Sequence, residues 1–339
     1  MSTTGITGTA DDGHGLTIPA VDLAAFLAGE EHERRQIADR VDEICRSVGF
    51  LIVERHGVPR ETIDQAWSSA RAFFDLPLHD KLGARSADPV CPRGYFPLQE
   101  ESLARTRGIA APPDQKESFS SGPVCAPAGH AGSDDFDFFY GPNIWPAEPA
   151  GFRQAWTDYY AAMEQLGAQI MQMLASALRL ADDYFVASHT HHLSALRAIN
   201  YPSIAEASLP GQQRAGAHSD YGSVTILKPD PHVAGLEVRL ASGDWIAAPV
   251  VENAFIVNIG DLMARWTNDR WVSTLHRVID PVGPSGGPAP RRQAIAYFMN
   301  PNYDAEISAI PTCLDAGASP KYPPARAGRY LIEKFTSGI

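Results

Sequence analysis

The sequence predicts an α+β protein built on an antiparallel β-sandwich or barrel, and three observations lead to this fold class. Beyond Leu196, short β-branched and aromatic runs are separated by Gly, Pro, Asn and Asp, a pattern typical of such a strand-rich core. In the first part of the chain, helical periodicity alternates with a strand-like run. Between these two regions, an apolar stripe keeps helical spacing from Phe152 to Leu180 and predicts one long helix packed on the sheet.

The first part of the chain begins with a polar segment. Residues 1–15 are rich in Gly, Thr, Ser and Asp without an apolar period, which predicts a disordered tail. From Glu31 to Val48 apolar residues recur at helical spacing until Gly49, and Phe50–Val53 then has the pattern of a buried strand. A second amphipathic helix is predicted after Pro59.

Residues 84 to 150 carry many Pro, Gly, Ser, Asp and aromatic residues and have no clear period. In a compact protein such a segment favours a functional loop that folds over the surface. We divide the chain into the tail at 1–15, a front region of helices, edge strands and active-site loops at 16–150, and the long helix, strand-rich domain and C-terminal wrap at 151–339. The predicted strands of the last region are Ala198–Tyr201, Gly216–His218, Val224–Leu227, Leu236–Val238, Trp245–Ala248, Ala254–Ile259, His276–Ile279 and Ala294–Phe298.

Charge and cysteine content exclude several classes of protein. The 28 Lys and Arg residues are outnumbered by 40 Asp and Glu residues, which gives a formal net charge of −12. Nucleic acid and anionic membranes are therefore not expected as partners. The four cysteines lack metal-binding spacing, no basic-then-apolar leader opens the chain, and no apolar run reaches about 18 residues. We expect a monomeric cytoplasmic protein with a small-molecule substrate.

A metal site is predicted where one strand runs into a turn, at His218-Ser219-Asp220. Side chains two residues apart on a strand share a face, so one imidazole and one carboxylate can bind the same cation. His276 opens another β-branched run and is the best candidate for a third ligand. Two histidines and one carboxylate form the facial triad of non-haem Fe(II) oxygenases, which leaves positions open for a co-substrate and O₂.

Several motifs, kept in order along the chain, resemble those of isopenicillin N synthase-like Fe(II)/2-oxoglutarate dioxygenases. The resemblance covers about residues 17 to 335 and implies a double-stranded β-helix (jelly-roll) core. It also implies Fe(II) bound by His218, Asp220 and His276, with 2-oxoglutarate and O₂ as co-substrates. The motifs are Gly49-Phe50-Leu51, His56-Gly57-Val58-Pro59, Arg93-Gly94-Tyr95-Phe96-Pro97, His218-Ser219-Asp220-Tyr221-Gly222, Phe255-Ile256-Val257-Asn258-Ile259-Gly260-Asp261 and Ser273-Thr274-Leu275-His276-Arg277-Val278.

The resemblance further implies an arginine near the start of the last core strand that pairs with the C5 carboxylate of 2-oxoglutarate. Both Arg291 and Arg292 stand there. Strand parity selects Arg292, which shares a face with Ala294 and Phe298 in the register of the family's Arg-x-Ser motif. A planar guanidinium can form two parallel charge-assisted hydrogen bonds with a carboxylate. Tyr201 matches a family tyrosine that bonds the co-substrate.

Two further residues match substrate-side positions of relatives. Phe298 corresponds to a residue that stacks on flat aromatic substrates, with a role in the plain apolar core as the alternative. Arg197 corresponds to a basic position on the same side. By contrast, His189, His191 and His192 look like a metal cluster, but they lie in a polar connection between helix and sheet, where we expect a surface loop.

The sequence departs from the family pattern at three places. Ala294 replaces the serine two residues after the arginine, which removes a hydroxyl donor to the same carboxylate. The stretch from His276 to Arg292 is about six residues longer than usual, and we expect a surface loop there because longer loops cost little free energy. Ile199 stands where many relatives have Asn, and Asn200 is displaced by one position.

These features predict an enzyme that oxidises a C–H bond of a small molecule by hydroxylation, desaturation or ring closure, in natural-product biosynthesis. One alternative, which Ala294 keeps open, is an oxidase of the same fold that takes its electrons from the substrate without 2-oxoglutarate. The other is a non-catalytic jelly-roll binding module. Release of succinate and CO₂ distinguishes the two enzymes, and the absence of O₂ uptake would favour the binding module.

Overall fold

The computed structural model describes residues 17–124, 127, 134–203, 209–280 and 289–336. The predicted tail at 1–15 and most of the longer connection, residues 281–288, lie outside the described residues. No helix among the described residues is long and apolar enough to cross a membrane. The helices are α1 (Leu23–Ala28), α2 (Glu31–Ser47), α3 (Arg60–Phe74), α4 (Leu78–Leu82), α5 (Asp134–Tyr140), α6 (Phe152–Ala177), α7 (Asp261–Trp266) and α8 (Ala327–Thr336). The strands are β1 (Ala20–Asp22), β2 (Phe50–Glu54), β3 (Gly94–Phe96), β4 (Glu117–Ser121), β5 (Ala195–Tyr201), β6 (Ala215–His218), β7 (Val224–Lys228), β8 (Leu236–Arg239), β9 (Trp245–Ala247), β10 (Phe255–Ile259), β11 (His276–Val278), β12 (Arg292–Met299), β13 (Glu306–Ile307) and β14 (Ala325–Arg326).

Two facing sheets form the core. The larger sheet has the strand order β1-β2-β10-β7-β12-β5-β4-β3, and the smaller sheet has the order β6-β11-β8-β9. Apolar side chains from both sheets meet between them, including Phe50 and Ile256 of the larger sheet and Val238 and Val278 of the smaller one. The predicted α+β class with a jelly-roll core is therefore confirmed.

The outer face of the larger sheet packs against helices. Because side chains alternate along β10, Phe255 shares an outer core with Trp156 of α6, whereas Ile256 belongs to the interior between the sheets. Helix α6 approaches the sheet closely at Gly167, where a Cβ atom would lie 2.9 Å from the Sδ atom of Met299. The predicted long helix therefore packs on the sheet, and it leaves the opposite face of that sheet for the interior.

The eight strands that the sequence predicts in the second half are present as β5 to β12, and their ends differ by a few residues, whereas the sequence does not predict the short β13 and β14. The largest difference is at β5, which begins at Ala195 instead of Ala198. Strand β12 begins at Arg292 instead of Ala294, because its first residues are polar but buried. Polar residues at a strand end hide the apolar pattern from which the strand is predicted.

The segment at 84–150 is more regular than the sequence predicts, since β3 and β4 extend the larger sheet. Strand β4 has few β-branched residues and forms by pairing with β5. The buried carboxylate of Glu117 in β4 accepts hydrogen bonds from Lys81 at 2.8 Å and from Tyr95 at 2.5 Å. Asn200 donates to the same carboxylate at 2.7 Å. The hydrogen bonds to Glu117 thus stabilise the β3 and β4 edge of the larger sheet. Hydrophobic periodicity in the sequence does not predict such a polar network.

Trp156 is expected to be a main anchor of α6. Its ring stacks on Phe152 with centroids 5.4 Å apart, meets Phe119 edge-on at 5.7 Å, and its Nε1 donates to Oγ of Ser121 at 2.8 Å. Trp156→Ala should lower the free energy of unfolding by about 3–5 kcal/mol, measured by chemical denaturation. Gln165→Ala, on the exposed face of α6, is the control and should change it by less than about 0.5 kcal/mol. An unchanged denaturation midpoint in Trp156→Ala would show that α6 is not part of the core.

Candidate metal centre and active site

Strand pairing brings the two predicted histidine ligands together. His218 ends β6, His276 begins β11, and they are direct partners across these antiparallel strands, with ring centroids 4.3 Å apart. Asp220 follows in the next turn, and its Oδ1 lies 3.9 Å from Nε2 of His218 and 3.7 Å from Nε2 of His276. One ligand atom from each residue thus lies within 4.8 Å of the others, a spacing that could hold one metal ion. No other group of three or more such side chains occurs in the described part of the chain.

Backbone contacts fix the turn that carries Asp220. The Asp220 carbonyl accepts a hydrogen bond from the backbone N–H of Asp261 at 2.7 Å, which ties the turn to the start of α7. Gly222 is required by packing, because a Cβ atom there would lie 2.2 Å from Oδ1 of Asn300. The carboxylate is therefore presented by a rigid turn between β6 and β7.

Both imidazole rings are oriented by backbone carbonyls. The Nδ1 atom of His218 lies 2.7 Å from the carbonyl oxygen of Gly216, and Nδ1 of His276 lies 3.1 Å from that of Thr274. A carbonyl only accepts, so each Nδ1 carries the hydrogen and each Nε2 keeps a free lone pair toward Asp220. Burial, reinforced by the neighbouring His276, lowers the pKa of His218 to about 3. His218 is therefore neutral near pH 7, as a metal ligand requires.

The Asp220 carboxylate is oriented as firmly as the imidazoles. Its Oδ2 accepts hydrogen bonds from Oγ1 of Thr225 at 2.5 Å and from Nδ2 of Asn258 at 2.8 Å. Burial alone would raise the pKa of Asp220, but His276, His218 and these two hydrogen bonds outweigh it and lower the pKa. Oδ1 of an ionised carboxylate is thus left to face the two Nε2 atoms.

The sequence analysis missed Thr225 and Asn258 as supports of the carboxylate. They are cross-strand partners on β7 and β10, and both are buried. Each is a polar residue inside an otherwise apolar strand, and Thr225 stands between Val224 and Ile226. A buried polar side chain needs a hydrogen-bond partner, so this interruption of the apolar pattern is the signal that could have identified them.

Arg292 and Tyr201 lie together at the far end of the interior. They are direct partners on β12 and β5, both are buried, and Cζ of Arg292 lies 5.1 Å from the centroid of the Tyr201 ring. Nε and Nη1 of Arg292 have no hydrogen-bond partner among the residues that the structure describes. Arg291 is already paired, since its Nε donates to Asn200 at 2.7 Å and its guanidinium contacts Asp75. Of these two neighbouring arginines, Arg292 thus has two guanidinium nitrogens without a partner in the described part of the chain, whereas Arg291 has one, Nη2.

Arg197 and Phe298 lie on the same two strands, nearer the metal ligands. Phe298 is the cross-strand partner of Thr225 and shares its interior face. Arg197 donates through Nη2 to Glu101 at 2.7 Å, and its guanidinium lies 4.8 Å from the centroid of the Phe96 ring. Both Arg197 and Phe298 are half-buried, as expected for side chains that border a cavity.

The three histidines between α6 and β5 do not converge. Nδ1 of His189 lies 2.9 Å from the carbonyl of Phe185, Nε2 of His192 lies 3.0 Å from Glu164, and His191 is exposed. They do not form a group that could share a metal ion. This connection therefore lacks metal-binding geometry.

The donor set fits an iron ion with a dicarboxylate bound beside it. Two imidazoles and one carboxylate that approach a point from one side suit Fe(II) and leave its other positions open. At the far end of the interior, the unpaired guanidinium of Arg292 needs an anion, because an unpaired buried charge is costly. The observed side chains thus match both halves of the expected ligand set.

Two family models match this chain. One describes the N-terminal region of a non-haem dioxygenase in morphine synthesis and matches residues 18–148, and the other describes the 2OG-Fe(II) oxygenase superfamily and matches residues 191–301. Validamycin A dioxygenase of Streptomyces hygroscopicus subsp. limoneus is 33% identical over 322 residues, which cover 94% of this chain and 86% of that protein. A proline hydroxylase of Petromyces alliaceus is 32% identical, over 91% of this chain and 94% of its own.

Solved structures agree with the sequence relatives. Neurospora crassa T7H in complex with alpha-KG superposes with a TM-score of 0.85 at 31% identity, over 97% of this chain and 98% of that one. Its complex with alpha-KG and thymine gives a TM-score of 0.84 at 32% identity, over 97% and 99% of the two chains. These findings confirm the family resemblance of the motifs. With both halves matched and relatives aligned over nearly the whole length, the chain belongs to the 2OG-Fe(II) oxygenase superfamily and is a 2-oxoglutarate- and Fe(II)-dependent dioxygenase.

Proposed function

We propose that His218, Asp220 and His276 bind the Fe(II) ion of this dioxygenase. The observation that carries the proposal is how the other polar atoms of these side chains are occupied. Both Nδ1 atoms donate to carbonyls and Oδ2 accepts two hydrogen bonds, so two Nε2 atoms and Oδ1 remain, and they face one another. Together with 2-oxoglutarate and O₂, a bound iron ion supplies the oxidising power that protein side chains lack.

We further propose that Arg292, with Tyr201 beside it, binds the C5 carboxylate of 2-oxoglutarate. Burial is the main cause that lowers the pKa of Arg292, so its charge is desolvated before any ligand arrives. A carboxylate bound to Nε and Nη1 would remove the cost of this unpaired charge. Ala294, two residues further along β12, lies on the same face of the strand as Arg292.

We infer that the substrate is a small natural product or amino-acid-derived molecule bound between Phe298 and Arg197. The face of an aromatic ring suits a flat or apolar group near the iron ligands. The Arg197 and Glu101 pair suits a polar group that carries both donors and acceptors. T7H, a related structure, has been solved with thymine and with 5-formyluracil, which are small, flat and polar molecules.

We infer that substrate enters between the front region and the C-terminal helix α8. A small cavity there is lined by Arg93, Pro123, Phe139 and Phe335, and it reaches Ala195. Ala195 is the cross-strand partner of Phe298. The cavity therefore lies beside the proposed substrate side of the site, which supports an entrance at this place.

Stoichiometry tests the proposed function. The protein loaded with Fe(II) is supplied with O₂, 2-oxoglutarate and a panel of small polar substrates, and succinate, O₂ uptake and oxidised product are measured together. We expect one succinate for each product and each O₂ consumed. Product without succinate would instead support an oxidase that does not use 2-oxoglutarate. No O₂ uptake over a broad panel of substrates would support a non-catalytic binding module.

Truncation of Phe298 should separate substrate binding from co-substrate binding. Phe298→Ala is expected to raise the substrate KM and to release succinate in excess of product, because the target group is no longer held beside the iron. The Kd of 2-oxoglutarate should stay unchanged. Tyr297→Phe, on the opposite face of β12, is the control and should keep the wild-type ratio. A wild-type KM and ratio in Phe298→Ala would assign Phe298 to the plain apolar core.

A further inference from the structure

Arg214, the residue before β6, is completely buried but only partly paired. Its Nε donates to Oδ1 of Asp280 at 2.7 Å, and its Nη2 donates to the carbonyl of Pro290 at 2.7 Å. Its Nη1 is buried and has no hydrogen-bond partner among the described residues. A buried guanidinium nitrogen without an acceptor is costly, so this atom calls for a ligand.

Arg214 lies next to the proposed site for the C5 carboxylate. The carbonyl that it binds belongs to Pro290, two residues ahead of Arg292. Burial is the main cause that lowers the pKa of Arg292, and the positive charge of Arg214 lowers it further. The charge of Arg214 also acts on Tyr201. Arg214 and the pair of Arg292 and Tyr201 are therefore buried neighbours at the start of β12.

The neighbouring acidic groups of the described residues do not give every N–H group of the two arginines an acceptor. Asp230 is the acid whose charge acts on Arg292, but its carboxylate already accepts hydrogen bonds from backbone N–H groups. Its Oδ1 accepts from His232 at 2.9 Å and from Val233 at 3.0 Å, and its Oδ2 accepts from Gln293 at 2.9 Å. The Asp280 carboxylate pairs with Arg214. Within the described ranges, these contacts leave Nη1 of Arg214 and two guanidinium nitrogens of Arg292 without an acceptor, and a single added carboxylate could accept from both arginines.

We propose that Arg214 is a second donor to the C5 carboxylate of 2-oxoglutarate and takes over the role of the family serine that Ala294 lacks. The inference rests on the proposed function, in which Arg292 binds this carboxylate. A carboxylate accepts about four hydrogen bonds, so two guanidinium groups can share it. This assignment gives an acceptor to the Nη1 atoms of both arginines and explains how the chain tolerates alanine at position 294.

An anaerobic titration of the Fe(II)-loaded protein tests the inference without turnover, by following the charge-transfer band of the chelated 2-oxo acid. In Arg214→Gln the Kd of 2-oxoglutarate should rise roughly 10- to 100-fold, the range for one hydrogen bond to a charged group. The Kd of 2-oxobutanoate, which has the same chelating end but no C5 carboxylate, should stay at the wild-type value. Arg214→Lys, which keeps the positive charge, should weaken 2-oxoglutarate binding less and serves if the glutamine variant does not fold.

Two further variants separate co-substrate binding from a structural role of the Arg214 and Asp280 pair. Asp280→Asn removes the partner charge but keeps an acceptor for Nε, so the Kd of 2-oxoglutarate should not rise. Ala294→Ser should lower the Kd of 2-oxoglutarate by a larger factor in Arg214→Gln than in the wild type. In Arg214→Gln the serine hydroxyl replaces the donor that was removed.

The results distinguish the inference from the proposed function. Equal weakening of 2-oxoglutarate and 2-oxobutanoate, or an Asp280→Asn effect as large as that of Arg214→Gln, would make Arg214 a structural residue and overturn the inference. Wild-type affinity for 2-oxoglutarate in the Arg214 variants would do the same. The proposed function would still stand in each case if Arg292→Ala lost 2-oxoglutarate, and it would fail if that variant bound 2-oxoglutarate normally.

Discussion

Alanine in place of His218, Asp220 or His276 is expected to abolish turnover and to weaken Fe(II) binding by more than about 100-fold. Loss of a partner that only supports a ligand already costs 10- to 100-fold, and each of these changes removes a ligand itself. The fold should persist, because the backbone pairing of β6 with β11 does not depend on these side chains. Iron content by elemental analysis and anaerobic Fe(II) titration measure the effect, and circular dichroism checks the fold.

Matched control variants show whether the loss of Fe(II) binding and turnover is specific to these three residues. His191→Ala removes an exposed histidine outside the site and should keep the wild-type iron content. Thr225→Val keeps all three ligands but removes one donor to Oδ2 of Asp220, so Fe(II) affinity should fall by about 10- to 100-fold. Full iron occupancy and a wild-type rate in any of the three ligand variants would show that the assignment is wrong.

Local sequence pattern was enough to propose these residues. The spacing of His218 and Asp220 put them on one side of a strand end, and the β-branched run after His276 marked a second strand. That β6 pairs with β11, and not with a strand nearer in sequence, is a property of the whole topology. Before the structure, only the order of the motifs, which resembles that of a known family, indicated that the strands of His218 and His276 lie together.

Strand parity also predicts that the two arginines lie on opposite faces of β12. Side chains alternate on a strand, so neighbouring residues point to opposite faces whatever the rest of the fold does. In the structure Arg292 stacks on Tyr201 in the interior, while Arg291 pairs with Asn200 and Asp75 on the other side. Parity is reliable here because β12 pairs with β5 from Arg292 to Phe298, so the backbone is extended from Arg292 onward.

Contacts between distant segments could not be predicted. Thr225 and Asn258 support Asp220 from two other strands, and Arg214 reaches the start of β12 through Pro290. Strand β4 is polar in sequence and exists because β5 has an edge to pair with. In each case the partner is far away in sequence, so neither periodicity nor spacing carries the signal.

Arg292→Ala is expected to raise the Kd of 2-oxoglutarate by roughly two to four decades. The C5 carboxylate would then lie in a buried site without its main partner, and breaking a buried ion pair costs about 3–5 kcal/mol. The protein without ligand should still fold, because the change removes a desolvated charge that has no acceptor for Nε or Nη1. The variant should therefore fold normally and fail only in co-substrate binding.

Ligand-induced stabilisation measures this effect independently of catalysis. At 2-oxoglutarate concentrations of 100 times the wild-type Kd, the wild type should gain about 2.7 kcal/mol of stability, and Arg292→Ala should gain almost none. Arg291→Ala is the matched control, since it removes the neighbouring arginine, which is already paired with Asn200, and it should gain as much as the wild type. Equal stabilisation of Arg292→Ala and the wild type would show that Arg292 does not bind the C5 carboxylate. Loss of the stabilisation in Arg291→Ala alone would instead assign the carboxylate to Arg291, on the other face of β12.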